Sequence, residues 1–163
     1  MIPPESSEGA GREPKMARGR FTYTMDAKGR LAIPPVLRME LQAQDGHPPI
    51  LTNLVDCAAI GAFAYDRWLE IEQRLNTLSQ MQPEVQSIRR MLISGAQECP
   101  LDGQGRLLVP PHLREHAALG REVVIAGVGQ RIEIWDRARF EKELETTKEH
   151  GPQYSRVAAD LGL

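Results

Sequence analysis

Two arginines stand in the same local setting twice. Residues 26–38 read DAKGRLAIPPVLR and residues 102–114 read DGQGRLLVPPHLR. Asp, Gly, Arg, Leu, Pro, Pro, Leu and Arg recur, eight identities in thirteen positions at a fixed offset of 76 residues, with Ile33/Val109 a conservative pair. A match that dense is an internal duplication. In each copy Asp26 or Asp102 takes the first position of a tight turn, where its carboxylate accepts from local backbone N–H groups. Gly29 or Gly105 takes the left-handed residue that closes the hairpin. Arg30 and Arg106 leave the turn on its far side, so a guanidinium projects at a hairpin tip beside a carboxylate that holds its direction. That group is suited to bidentate donation onto a planar pair of acceptors. The bland alternative is a structural salt bridge, which has no need of an exposed turn.

A second arrangement with possible chemistry is His112-Leu113-Arg114-Glu115-His116, a formal H-x-x-E-H. On a helix its two histidines share a face suited to zinc, with Glu115 as general base. The equivalent positions in the first copy are Val36, Leu37, Arg38, Met39 and Glu40, with no histidine, and no downstream acid stands out as a third ligand. The motif therefore reads as surface chemistry of a short helix. The sequence has no G-x-S-x-G elbow and no phosphate-cradling G-x-x-x-x-G-K-S/T. Gly127-Val128-Gly129 lies between two strand-like runs and reads as a hairpin turn.

The elements that must position these groups follow from local pattern. Arg20 to Met25 alternates Phe21, Tyr23 and Met25 against Thr22 and Thr24, which predicts a strand with one buried face. A short strand follows each turn (Leu31 to Ile33; Leu107 to Val109). A Pro-Pro pair then pre-sets φ for a short helix. Strands are predicted over 50–55 and 58–65. Asp66 is the expected N-cap of a helix whose Trp68, Ile71, Leu75 and Leu78 share a face. Gln82-Pro83-Glu84 opens a helix joining the halves. The cycle then repeats, with strands over 122–126 and 131–135 and Asp136 capping a last helix of thin apolar face (Phe140, Leu144). This divides the chain into a disordered extension (1–15), a first repeat (16–81), a second repeat (82–150) and a frayed tail (151–163).

Composition narrows the classes. At 163 residues, either half alone makes a marginal core. No apolar run approaches the roughly 20 residues that span a bilayer, and the N-terminus lacks the apolar centre of a signal peptide. The two cysteines, Cys57 and Cys99, occupy non-equivalent positions and read as buried free thiols. A net charge of −2 argues against a polyanion partner, but charge is unevenly placed. Arg18, Arg20, Lys28, Arg30 and Arg38 crowd the first repeat. The acids gather elsewhere, at Glu5, Glu8 and Glu13, and at Glu141, Glu143, Glu145 and Glu149.

D-x-x-x-R between two strands, followed by Pro and a short helix and repeated in one chain, resembles the MraZ transcriptional regulators of the AbrB-like swapped-hairpin DNA-binding superfamily. Arg18-Gly19-Arg20-Phe21, Ser94-Gly95-Ala96, Gly127-Val128-Gly129 and Ile132-Glu133-Ile134-Trp135 also suit that family. The resemblance implies a β-rich α+β fold in which two tandem AbrB-like repeats form a pseudo-twofold swapped-hairpin (double-split) β-barrel with short helices. It implies a cytoplasmic, nucleoid-associated bacterial regulator that binds double-stranded DNA at short promoter-proximal direct repeats ahead of its own division and cell-wall gene cluster. It further implies a ring-shaped homo-oligomer, no cofactor, no membrane partner and no enzymatic activity. If the chain does bind DNA, residue chemistry leads one to expect that Arg30 and Arg106 read guanine O6 and N7 and that Asp26 and Asp102 aim them. Arg18, Arg20 and Lys28 are expected to contact phosphate, and Gln104, which replaces Lys28 in the second turn, completes the expected set. An antitoxin-type interaction protein of the same fold, and a zinc-dependent hydrolase using His112, Glu115 and His116, are the alternatives.

Overall fold

The computed structural model describes residues 16–163, so the extension expected to be disordered (1–15) lies outside the described residues. Fourteen elements follow in chain order: β1 (Ala17–Thr24), β2 (Arg30–Ala32), α1 (Pro35–Leu41), β3 (Ile50–Asn53), β4 (Ile60–Phe63), α2 (Tyr65–Thr77), α3 (Pro83–Gly95), β5 (Gln97–Glu98), β6 (Arg106–Leu108), α4 (Pro111–His116), β7 (Glu122–Gly129), β8 (Ile132–Asp136), α5 (Arg137–Glu149) and α6 (Gly151–Asp160). The class is α+β, and every ladder is antiparallel.

The ladders cross between the repeats. One sheet runs β1-β7-β8-β4-β3-β5 and a separate two-stranded ribbon pairs β2 with β6. The opening strand of each repeat therefore pairs with the other repeat: β1 lies along β7, and β5 along β3. The ribbon is centred on Leu31 opposite Leu107, equivalent positions of the duplication, so a pseudo-twofold axis passes between them. Two reciprocal bonds extend it, from Ile33 N–H to the Gly105 carbonyl (3.0 Å) and from Val109 N–H to the Gly29 carbonyl (2.9 Å). The expected barrel is not closed by hydrogen bonds, because β1 and β5 remain the outer strands of an open sheet. The expected hairpins are likewise not paired ladders: β1 and β2 flank one turn but belong to different sheets.

Period-two alternation sorts the core into two layers. One face of the sheet supplies Leu51, Ile60, Val123, Ile125, Ile132 and Ile134, which pack with Leu31 and Leu107 of the ribbon and Leu37 and Leu113 of α1 and α4. The opposite face supplies Phe63, Val124, Ala126 and Trp135, covered by Trp68, Leu92 and Phe140 from α2, α3 and α5. The short Pro-started helices thus sit over the ribbon layer, and the long helices cover the other layer.

Three local expectations are corrected. Asp66 does not cap α2: the helix starts two residues earlier, with Ala64 at the cap and no side-chain bond, because β4 runs almost directly into it. Leu78, expected on the buried face, is the half-exposed residue that ends the helix. The tail from Gly151 is helical, since Pro152 in the first turn starts α6, although the helix buries none of its residues. Asp136 does cap α5, accepting from Arg139 N–H at 3.3 Å. Cys57 and Cys99 are free, in opposite layers, with Cys57 only partly buried. Burial pushes their thiols up to about 12 and about 11 respectively.

Candidate functional site

Each turn is built by its aspartate. Asp26 Oδ1 accepts from the backbone N–H groups of Lys28 (3.0 Å) and Arg30 (2.9 Å), and Oδ2 accepts from Arg30 Nε at 2.6 Å. Asp102 repeats this with Gln104 N–H (2.8 Å), Arg106 N–H (3.0 Å) and Arg106 Nε (3.1 Å). The main chain closes each loop in the same way, with Gly29 N–H donating to the Asp26 carbonyl and Gly105 N–H to that of Asp102. Both glycines hold positive φ, 86° and 74°, as the closing left-handed residue requires. The carboxyls are held below their ordinary value of 3.8, first by the backbone N–H of Arg30 or Arg106 and also by that arginine's side chain. Each arginine spends Nε on its aspartate. Among the described residues neither terminal Nη group has a partner.

The ribbon decides where those guanidinium groups point. Leu31 and Leu107 are fully buried, so alternation turns Arg30, Ala32, Arg106 and Leu108 to the outer face. In the register Arg30 lies opposite Leu108, and Ala32 opposite Arg106. The two arginines therefore occupy diagonal corners of the ribbon, roughly 7–8 Å apart at the backbone.

Sequence reading counted Arg38 in the basic first repeat but gave neither it nor Arg114 a place at a turn. Arg114 of α4 covers Gly29 of the first turn, and Arg38 of α1 covers Gly105 of the second. Arg38 Nε also donates to the Ile33 carbonyl at 2.8 Å. Neither forms an ion pair among the described residues, so each brings uncompensated positive charge to the opposite repeat's turn. Their signal was in the duplication, where both are identical positions, but nothing local told which turn each would reach.

Asp26, Lys28 and Arg30 are thus brought together in one turn, and Asp102, Gln104 and Arg106 in the other. Arg18 and Arg20 are not brought to the first turn. In β1 they alternate with Ala17, Phe21 and Tyr23 of the ribbon layer and so lie on the opposite face of the sheet. Arg20 stacks there over the Phe140 ring at 5.5 Å. The acidic helix α5 lies on that same far face, so the sheet separates the acids of α5 from the arginine ribbon. In α4, His112 Nε2 lies 3.1 Å from the Gly95 carbonyl. No three His, Cys, Asp or Glu side chains converge on a common point among the described residues.

A duplicated Asp–Arg turn on a strand-exchanged ribbon is matched by a family sequence model described as "MraZ protein, putative antitoxin-like", which fits residues 16–91 and again residues 92–155. The chain belongs to the MraZ family. The two matches meet inside α3. Curated relatives carry the name transcriptional regulator MraZ. That of Heliobacterium modesticaldum is 39% identical over 90% of this chain and 96% of its own length. That of Solidesulfovibrio magneticus is 41% identical over 91% and 97%. The relative from Moorella thermoacetica is 40% identical over 90% and 96%. No helix among the described residues is long and apolar enough to cross a membrane.

Proposed function

We propose that this chain is a sequence-specific DNA-binding regulator of transcription that reads duplex DNA with the outer face of the β2–β6 ribbon. The observation that carries this reading is the pair of Nε-anchored arginines at its diagonal corners. A two-stranded ribbon is narrow enough for a major groove about 12 Å wide. An arginine whose Nε is already engaged presents its two Nη groups, the pair that meets guanine O6 and N7. Because Asp26 and Asp102 fix the direction in the free protein, little side-chain entropy remains to be lost on binding. Lys28, Arg38 and Arg114 add charge beside the turns for phosphate, which positions the protein without specifying sequence. Arg18 and Arg20, on the far face, take no part in this contact.

The targets in this reading are short direct repeats upstream of the chain's own gene, within a division and cell-wall gene cluster, and the protein acts on the nucleoid in the cytoplasm. Several copies assemble into a ring, within which the split hairpins form a barrel-like body and many ribbons engage one DNA by avidity. The relatives' name as transcriptional regulators supports the regulatory role.

The test is binding to the duplex upstream of the gene against a scrambled duplex, with Arg30→Ala and Arg106→Ala alongside. Each variant should lose roughly 1–3 kcal/mol on the specific duplex and far less on the scrambled one. Equal losses on both would reduce the arginines to phosphate contacts. No binding by the native protein, together with capture of a small toxin, would favour the antitoxin-type reading that the family description names. Light scattering checks assembly: a monomer mass at every concentration overturns the ring.

A further inference from the structure

The outer face of the ribbon holds one residue that the duplication does not repeat. Leu108 stands where the first repeat has Ala32, and it is 56% exposed. It is directly opposite Arg30, with the two side chains on one face and Cβ atoms within about 5.5 Å. A large exposed aliphatic side chain between two arginines gains nothing from solvent. It is not held by the core either, because its neighbours Leu107 and Val109 point inward and are buried.

We propose that Leu108 is a specificity-determining residue that packs against a thymine C5-methyl group in the major groove, next to the guanine read by Arg30. The proposal rests on the DNA-reading role of the ribbon. Among the four bases only thymine offers an apolar group in that groove, and aliphatic side chains are its usual partners. Base pairs rise about 3.4 Å per step, so a residue facing Arg30 across a ladder falls at a neighbouring base. Ala32, opposite Arg106, is two bonds shorter and from the same ribbon face offers a smaller apolar contact that reaches less far into the groove. The two corners of the ribbon therefore read unlike features: guanine with an adjoining thymine at one, guanine alone at the other. A pseudo-twofold protein surface thereby acquires a direction, as it must to prefer a repeat in one orientation over an inverted palindrome.

The experiment uses the intact protein and a duplex selected by it from a random-sequence library. A second duplex carries deoxyuridine in place of thymine, which deletes only the methyl groups. The native protein should bind the deoxyuridine duplex about fourfold more weakly per methyl lost, the worth of one buried methylene-sized group. Leu108→Ala should lose a similar factor on the thymine duplex and show no further loss on deoxyuridine. Leu108→Met, which keeps an apolar side chain of like volume, should retain the methyl dependence. An undiminished deoxyuridine penalty in Leu108→Ala overturns the proposal while leaving the DNA-reading role intact. A change of assembly mass in Leu108→Ala with no change in methyl dependence assigns the residue to a protein contact and overturns it too. Failure to select any duplex removes the DNA-reading role, and this inference with it.

Discussion

The guanidinium of Arg114, in the second repeat, lies against Gly29 in the turn of the first, close enough that a Cβ on Gly29 would sit 2.8 Å from Cζ. Gly29 also holds φ at 86°, where an L-residue is strained. Gly29→Ala should therefore cost about 1–3 kcal/mol in urea unfolding, combining the backbone penalty with displacement of the arginine. Gly103→Ala is the internal comparison, since its Cβ meets nothing within 4 Å and no positive φ is required. It should change stability by less than about 0.5 kcal/mol.

Arg20→Ala separates stability from DNA contact. The side chain stacks on Phe140 across the sheet from the ribbon. Its loss should lower stability by about 0.5–1 kcal/mol and leave DNA affinity and its salt slope unchanged. Lys28→Ala should do the reverse, weakening specific and scrambled duplexes alike and reducing the salt slope by about 1 for each turn engaged. Binding of both variants to both duplexes at several salt concentrations distinguishes them. A salt-slope change in Arg20→Ala would return that residue to the interface.

The aspartates make a pH prediction with a definite sign. Asp26 and Asp102 have folded-state values below 3.8 because they accept from Arg30 and Arg106. A depressed carboxyl stabilises the turn fully above its unfolded value, and that contribution is lost as pH falls through the lowered folded one. The turns should hold unchanged from neutrality to about pH 4 and loosen only below 3.8. Carboxyl carbon shifts of the two residues, followed by NMR with the Arg30 and Arg106 Nε–H signals, check this. A midpoint above 3.8 for either would mean that the anchored geometry is absent in solution.

What was legible in the chain was whatever a few adjacent residues settle among themselves. The Asp–Arg turns, the Pro-started helices and the Asp136 cap are contacts spanning four residues or fewer, and they stand as read. The distance of Arg18 and Arg20 from the first turn has another origin. Their alternation with Phe21 and Tyr23 already assigned them to the other strand face, but nearness along the chain was taken for nearness in space. The braces from Arg38 and Arg114 were hidden for a stronger reason. They depend on the exchange of strands between repeats, and a repeated motif says that two units are alike without saying which unit completes which. The same exchange leaves the flanks of each turn in different sheets, which no hairpin pattern announces. Helix α6 was unreadable because Tyr154 and Val157, and Leu161 just beyond its end, stay largely exposed among the described residues, so no burial pattern marks it.

The last prediction concerns the axis itself. Leu31 and Leu107 face each other at the centre of the ribbon, with exposures of 0% and 1%. They join α1 and α4 to the sheet face formed by strands of both repeats. Truncating either to Ala should cost about 2–5 kcal/mol, the range for a buried leucine whose cavity cannot fully collapse. Since the two side chains share one layer, the double variant should fall short of additivity by about 0.5–3 kcal/mol. Both single variants should still unfold in one transition, because β1–β7, β3–β5 and β2–β6 all bridge the repeats and leave neither half a complete core. Urea denaturation followed by far-UV dichroism and by tryptophan fluorescence provides the check, since Trp68 and Trp135 lie in the layer away from the ribbon. Coincident curves mean that the layers are one cooperative unit. A fluorescence transition that outlasts the dichroism in Leu31→Ala would show that the long-helix layer survives loss of the ribbon, and that the strand exchange does not bind the halves into a single fold.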